Sequence, residues 1–207
     1  VNIGKVIKKV SKKFGTKYQV YSLTGEYIGI EKEFLFPIKR SVDEDIAAFG
    51  RTAKFHYKTQ ITEGCLLVDQ VDKEKYYVTI KRSISLGNKL VIWDAFLLQI
   101  NCNVDFYRKS LVIPEGGHPA DATMEFVKIF SDVPCYMQKK DWSMESISQY
   151  GRYLRGYETV ICPRKDITKG DRLLIGDKSY LIQDIDPVIR ENMLELQVGL
   201  EELGVVA

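Results

Sequence analysis

Histidine is scarce in this chain of 207 residues, which has only His56 and His118, and its four cysteines stand apart at Cys65, Cys102, Cys135 and Cys162. None of them forms a C-x-x-C pair, so the ligand spacing of a zinc knuckle is missing. A chain of this length folds without disulfide staples. Buried free thiols are the expectation for all four cysteines, and no metal or cofactor is expected. The phosphate-cradling G-x-x-x-x-G-K-[ST], the dinucleotide-binding G-x-G-x-x-G, the zinc-binding H-E-x-x-H and the nucleophile elbow G-x-S-x-G are also absent. A cysteine nucleophile needs a histidine base beside it, and His118 is the one histidine in a loop-like context, Glu115-Gly116-Gly117-His118-Pro119. It reads as a loop residue. No acid, base and nucleophile set emerges, and the sequence predicts a protein that is not an enzyme.

Long apolar runs and an excess of one charge are lacking too. The longest apolar stretch, Leu90 to Ile100, is broken by Asp94, well short of the roughly 20 residues that span a bilayer. The N-terminus sets lysines between its apolar residues, which predicts no secretory signal and a chain kept in a cytoplasm. Thirty basic residues against twenty-eight acidic ones leave a formal charge of +2. Any attraction to nucleic acid must therefore be local.

What is present is periodicity. Ile3, Val6, Ile7, Val10 and Phe14 recur at helical spacing, and Lys5, Lys8, Lys9, Lys12 and Lys13 take the other face. Gly15 ends this basic amphipathic helix. Beyond it the period is two. Phe96, Leu98, Ile100, Cys102, Val104 and Phe106 alternate with polar or bulky neighbours, which predicts one long strand. Leu194, Leu196, Val198 and Leu200 predict another. Arg172 to Ile175 and Tyr180 to Ile182 flank a Gly176-Asp177-Lys178-Ser179 turn and read as a hairpin.

Two stretches repeat in the same order. Glu44, Ile46, Gly50 and Arg51 match Glu145, Ile147, Gly151 and Arg152, with an aromatic residue before each glycine. Ile61, Thr62 and Gly64 match Ile167, Thr168 and Gly170, each set followed by an apolar run and a tyrosine-led strand at Tyr77 or Tyr180. The first set suits a short capped helix ending in glycine, the second a tight turn launching a strand. The fold class expected is mainly β, with two tandem small β-barrel or β-sandwich domains of similar topology, each carrying a short helix. The basic helix occupies 1–17, the first copy 18–108, an inter-repeat loop 109–124 and the second copy 125–207.

Two features have binding potential. The lysine face of the helix suits an anionic surface or nucleic acid, and it opposes an acidic C-terminal end with Glu191, Glu195, Glu201 and Glu202. That polarity predicts salt-sensitive contact between ends of neighbouring subunits. The segment Lys109 to Asp121, with Glu115, Gly116, Gly117 and His118, reads as a projecting loop.

The second copy supplies a resemblance. Gly170-Asp171, Leu173, Gly176, Tyr180 and Ile182 look like the hairpin of the small β-barrel in head-closure, or stopper, proteins of tailed bacteriophages. The first copy departs from it, with Cys65 in place of the aspartate and no glycine before Tyr77. The resemblance implies a homo-oligomeric ring between portal and tail, assembled into the virion from the host cytoplasm. Such a neck protein retains packaged double-stranded DNA, docks the tail, and uses neither membrane nor cofactor. A tail or baseplate adaptor is the alternative within that class. A nucleic-acid-binding β-barrel module is the alternative outside it, through the interleaved aromatics Phe55, Tyr57, Tyr76, Tyr77, Phe106 and Tyr107.

Overall fold

The structure is a computed structural model that describes residues 3–37, 50–86, 89–113, 115–116, 118–138, 158–186 and 192–201. The predicted short helices around Glu44, Ile46, Glu145, Ile147, Gly151 and Arg152 lie outside the described residues. The described chain is mostly β and forms two closed six-stranded barrels in tandem after one N-terminal helix, α1 (Ile3–Phe14). Among the described residues no helix is long and apolar enough to cross a membrane.

The first barrel comprises β1 (Thr16–Tyr21), β2 (Tyr27–Pro37), β3 (Gly50–His56), β4 (Leu66–Asp69), β5 (Lys75–Leu86) and β6 (Lys89–Gln99). The second comprises β7 (Cys102–Val112), β8 (Thr123–Gln138), β9 (Glu158–Pro163), β10 (Arg172–Ile175), β11 (Lys178–Asp186) and β12 (Met193–Leu200). The hydrogen-bonded order is β1-β2-β3-β6-β5-β4 in one and β7-β8-β9-β12-β11-β10 in the other, each closed on itself. Strand for strand, these are the same topology.

The likeness reaches single hydrogen bonds. Gly64 N donates to Val78 O at 2.7 Å, Cys65 N to Thr62 O at 3.2 Å and Val78 N to Cys65 O at 3.0 Å. The second barrel repeats this with Gly170 N to Ile182 O, Asp171 N to Thr168 O and Ile182 N to Asp171 O, at 3.0, 3.1 and 2.9 Å. Gly64 and Gly170 carry φ of 84° and 90°, a left-handed conformation that disfavours a Cβ. Ile61 and Ile167 are buried beside them. Two residues past each turn, Leu67 pairs with Tyr76 and Leu173 with Tyr180. Tyr76, not Tyr77, is thus the counterpart of Tyr180. Both barrels then slip register at one place, between Val78 and Ile80 and between Ile182 and Asp184. Shared bulges of this kind mark a duplicated fold.

Three sequence expectations are corrected. The alternation from Phe96 to Phe106 is not one strand. Ile100 N donates to Lys75 O at 2.9 Å in the first barrel, and Asn101 N to Cys135 O at 3.2 Å in the second. The core positions change parity across this junction, from Ala95 and Leu97 to Val104 and Phe106. The division between copies therefore falls after Ile100, not at 108. The expected loop over 109–124 is shortened at both ends, because β7 runs to Val112 and β8 starts at Thr123, paired from Val112–Thr123 down to Arg108–Val127.

On α1, three residues of the apolar stripe are exposed: Val6 at 48%, Val10 at 41% and Phe14 at 66%. Among the described side chains, Gly4, half-buried Lys8, Ser11 and Gly15 turn to the barrel, spaced along one helical face. A Cβ on Gly4 would stand 3.0 Å from Val91 O, and one on Gly15 2.9 Å from Glu33 N. Small residues let the helix backbone come that close to the sheet.

Candidate functional site

The most unusual chemistry lies where α1 covers the first barrel. Glu31 and Glu33 are two apart on β2 and so share a face, opposite Tyr18 and Thr16 of β1. Strand β3 runs antiparallel beside β2, with Phe34 opposite Lys54, and this brings its last residue, His56, alongside them. His56 Nε2 stands 3.8 Å from Glu31 Oε2 and 3.7 Å from Glu33 Oε1. The donor atoms of the three residues lie within 4.8 Å of one another.

The turn after β3 holds two of the three. Thr59 Oγ1 donates to Glu31 Oε2 at 2.5 Å and Gln60 N to Glu31 Oε1 at 2.8 Å. Lys58 N donates to His56 Nδ1 at 3.1 Å, so the ring proton sits on Nε2 and faces the carboxylates. Burial holds the imidazole below its ordinary pKa, and Lys8 and Lys12 push the same way against the opposing pull of Glu31. The neutral imidazole is thereby favoured.

Glu33 differs from its neighbours. Its side chain is fully buried, and neither carboxylate oxygen has a hydrogen-bond partner. Ser11 Oγ, on the face of α1 turned to the barrel, is buried and unpartnered in the same way. Burial, reinforced by the neighbouring Glu31 carboxylate, pushes the Glu33 carboxyl up to about 8, and the nearby His56 backbone and Ser11 hydroxyl temper that rise. An isolated buried carboxylate is costly, and protonation is how such a group avoids the cost. With no exposed surface, Glu33 meets no substrate from solvent in this arrangement. It can hold a proton, or share a cation with Glu31 and His56.

The sequence reading missed this cluster. Glu31-x-Glu33 is a weak signal, and the histidine comes from another strand more than 20 positions on. The expectation of no metal ligands rested on cysteine spacing, which does not bear on a mixed carboxylate and imidazole set.

The residues that the sequence singles out are dispersed. Lys5, Lys9, Lys12 and Lys13 are exposed along α1, while Lys8 is half-buried beside His56. Glu115, Gly116 and His118 are exposed between β7 and β8; Gly117 lies outside the described residues. His118 serves the local backbone. Its Nδ1 accepts from Ala120 N at 3.2 Å, and its own N donates to Asp121 Oδ2 at 3.0 Å, capping a 3-10 turn at Pro119–Asp121. Gly50 is buried at the start of β3, and Arg51 donates to Gln99 Oε1 at 3.2 Å. Of the six aromatics proposed for base stacking, Phe55, Tyr76, Tyr77 and Phe106 are buried. The cysteines are free, with Cys65, Cys135 and Cys162 buried and Cys102 half-buried. Burial pushes the Cys102 thiol up to about 11 and raises that of Cys135 well above its ordinary value, with Cys162 beside it.

The β7–β8 ribbon has two unlike faces. Cross-strand partners share a face, so Leu111 with Met124 and Lys109 with Phe126 lie on one side, and Ser110 with Glu125 and Arg108 with Val127 on the other. On the first side Leu111 is 64% exposed and Met124 56%, and Arg172 stacks 3.7 Å over the Phe126 ring. Strand β10 pairs with β7 only at Asp105–Tyr107, and β9 with β8 only at Tyr136–Gln138. Among the described residues, no strand pairs with the outer edge of β7 from Arg108 to Val112 or of β8 from Thr123 to Lys128.

No family model and no curated protein matches the chain. Solved structures of MrkH from K. pneumonia align with 96% of this chain. The apo form has 10% identity, 83% of its chain covered and a TM-score of 0.24, and the c-di-GMP complex has 11%, 85% and 0.22. Scores this low support no argument about fold or function.

Proposed function

We propose that this chain is a non-enzymatic structural subunit that assembles into a ring in the neck of a tailed phage, closing the head and docking the tail. The observation that carries the reading is the open-edged β7–β8 ribbon with its exposed Leu111 and Met124. A two-stranded ribbon is at best marginal alone in water, and unpaired edges beside uncovered apolar side chains are a template for another chain. The exposed stripe Val6, Val10 and Phe14 on α1 is a second such surface. The doubled barrel, whose matched residues serve turns and cores, fits a part that works through its surfaces. The phage assignment rests on the hairpin Gly170-Asp171, Leu173, Gly176, Tyr180 and Ile182 and its resemblance to head-closure proteins. A tail or baseplate adaptor would use the same surfaces. The nucleic-acid module is disfavoured, because most of its stacking aromatics are buried.

Light scattering and negative-stain microscopy of the purified chain test this reading. Closed rings are expected, with Leu111→Asp plus Met124→Asp reducing them to monomers that keep their circular dichroism. A monomer at high concentration that binds short DNA tightly and salt-sensitively would favour the nucleic-acid module instead.

A further inference from the structure

We propose that Glu31, Glu33 and His56, closed over by Ser11 of α1, form a site for one divalent transition-metal ion. Four polar groups from β2, β3 and α1 converge here. Two of them, the Glu33 carboxylate and the Ser11 hydroxyl, are buried and close enough to act on one another, yet neither completes a hydrogen bond. Buried polar groups in folded proteins are nearly always satisfied, so a pair of orphans at one place marks a missing partner. A mixed imidazole and carboxylate donor set suits zinc and its first-row neighbours. Zinc bonds of about 2.0–2.2 Å place tetrahedral ligands roughly 3.3 Å apart. The 3.7 and 3.8 Å separations from Nε2 need to close by only a few tenths of an ångström.

The surroundings supply the outer shell. Thr59 and Gln60 fix Glu31 through both of its oxygens, as second-shell donors commonly do. The two carboxylates balance the charge of a dication. Lys8 and Lys12 act on His56, and Lys81 on Glu31; these cations oppose the ion and hold its affinity down. Binding through Nε2 also moves the ring proton to Nδ1. That displaces the Lys58 N–H bond, which lies in an exposed turn where water replaces it.

The second barrel is an internal control. By strand register, Val133, Cys135 and Pro163 stand where Glu31, Glu33 and His56 stand in the first. The same topology closes there around apolar side chains, so the fold itself does not require carboxylates or imidazole at these positions.

The test is titration of the full chain, stripped with chelator, with Zn2+ and separately with Co2+. One equivalent of Zn2+ is expected to bind. Co2+ is expected to give visible d–d bands without the near-ultraviolet charge transfer of a thiolate ligand. Glu33→Gln should weaken binding at least about tenfold with unchanged circular dichroism, and Lys8→Gln should tighten it. The proposal is overturned by absence of saturable uptake, by uptake undiminished in Glu33→Gln combined with His56→Gln, or by a thiolate charge-transfer band that puts the ion on cysteine.

Discussion

Cys65 and Asp171 occupy one position in two copies of the same turn. Cys65 Sγ lies 3.4 Å from Thr62 N, and Asp171 Oδ2 lies 2.9 Å from Thr168 N. The copies have diverged around that position. Asp171 also binds Arg108 Nε and NH2 at 3.0 and 2.9 Å, and Arg108 reaches on to Asp166. By strand register, Ser22 follows β1 where Arg108 stands on β7, so the first copy carries a short hydroxyl at that place.

That divergence predicts unequal costs. Asp171→Ala leaves the Thr168 amide unpaired and an arginine with half its partners, a loss of about 2–3 kcal/mol because water reaches part of the freed arginine. Cys65→Ala removes a weak acceptor and should cost about 1 kcal/mol. Hydrogen exchange resolved by peptide checks this: Asp171→Ala should deprotect β10 and β11 while β4 and β5 keep their protection. Equal loss in both barrels would mean that they do not unfold separately.

The paired glycines separate conformation from crowding. Gly170→Ala meets no atom within 4 Å, so it should cost only the left-handed penalty of about 1–2 kcal/mol. Gly64→Ala has a similar φ but places its Cβ 3.1 Å from Leu23 Cδ1, and should cost measurably more. Denaturant midpoints of the two variants decide it. The reverse order would show that the turn, not the packing, differs between the copies.

The glycine turns were legible in sequence because turn chemistry is local: I-T-x-G needs no partner strand to be recognised. The hairpin was legible for the same reason, although its second strand, read as Tyr180 to Ile182, runs over Lys178–Asp186. The break after Ile100 was not. Leu97 and Leu98 are both buried, so apolar residues of either parity suggest continuity, and only the change of hydrogen-bonding partner reveals the junction. Two adjacent tyrosines hid which one matched Tyr180. The covered face of α1 was not legible, because hydrophobic periodicity gives no weight to Gly4, Ser11 and Gly15. The Glu31, Glu33 and His56 cluster depends on strand register, which a single sequence does not carry.

The orientation of α1 gives its own prediction. Phe14→Ser replaces a side chain that is 66% exposed, so the folding stability of the monomer should change by no more than about 0.5 kcal/mol. Ser11→Leu, on the covered face, should undock the helix and expose β2 to hydrogen exchange. A large loss from Phe14→Ser with none from Ser11→Leu would show that the helix packs through its apolar stripe.

Glu33 makes the metal-free barrel sensitive to alkali. Its carboxyl is raised from an ordinary 4.5 to about 8, so between those values the folded protein binds a proton that the unfolded chain has released. Stability from this group is therefore complete below about pH 4.5 and declines as pH rises, until it is lost above about pH 8. The groups acting on Glu33 set the size of the effect: Ser11 on α1, Glu31 on β2 and His56 on β3, with Lys8 and Lys12 acting through His56. Lys81 on β5 acts through Glu31. Glu33→Gln keeps the shape and removes the titration. In chelator, the variant should be more stable than the native chain at pH 9 and differ little from it at pH 5. Urea midpoints across that range are the measurement. Parallel pH curves for the two proteins would show that Glu33 is ionised in the folded state and that another group carries the proton.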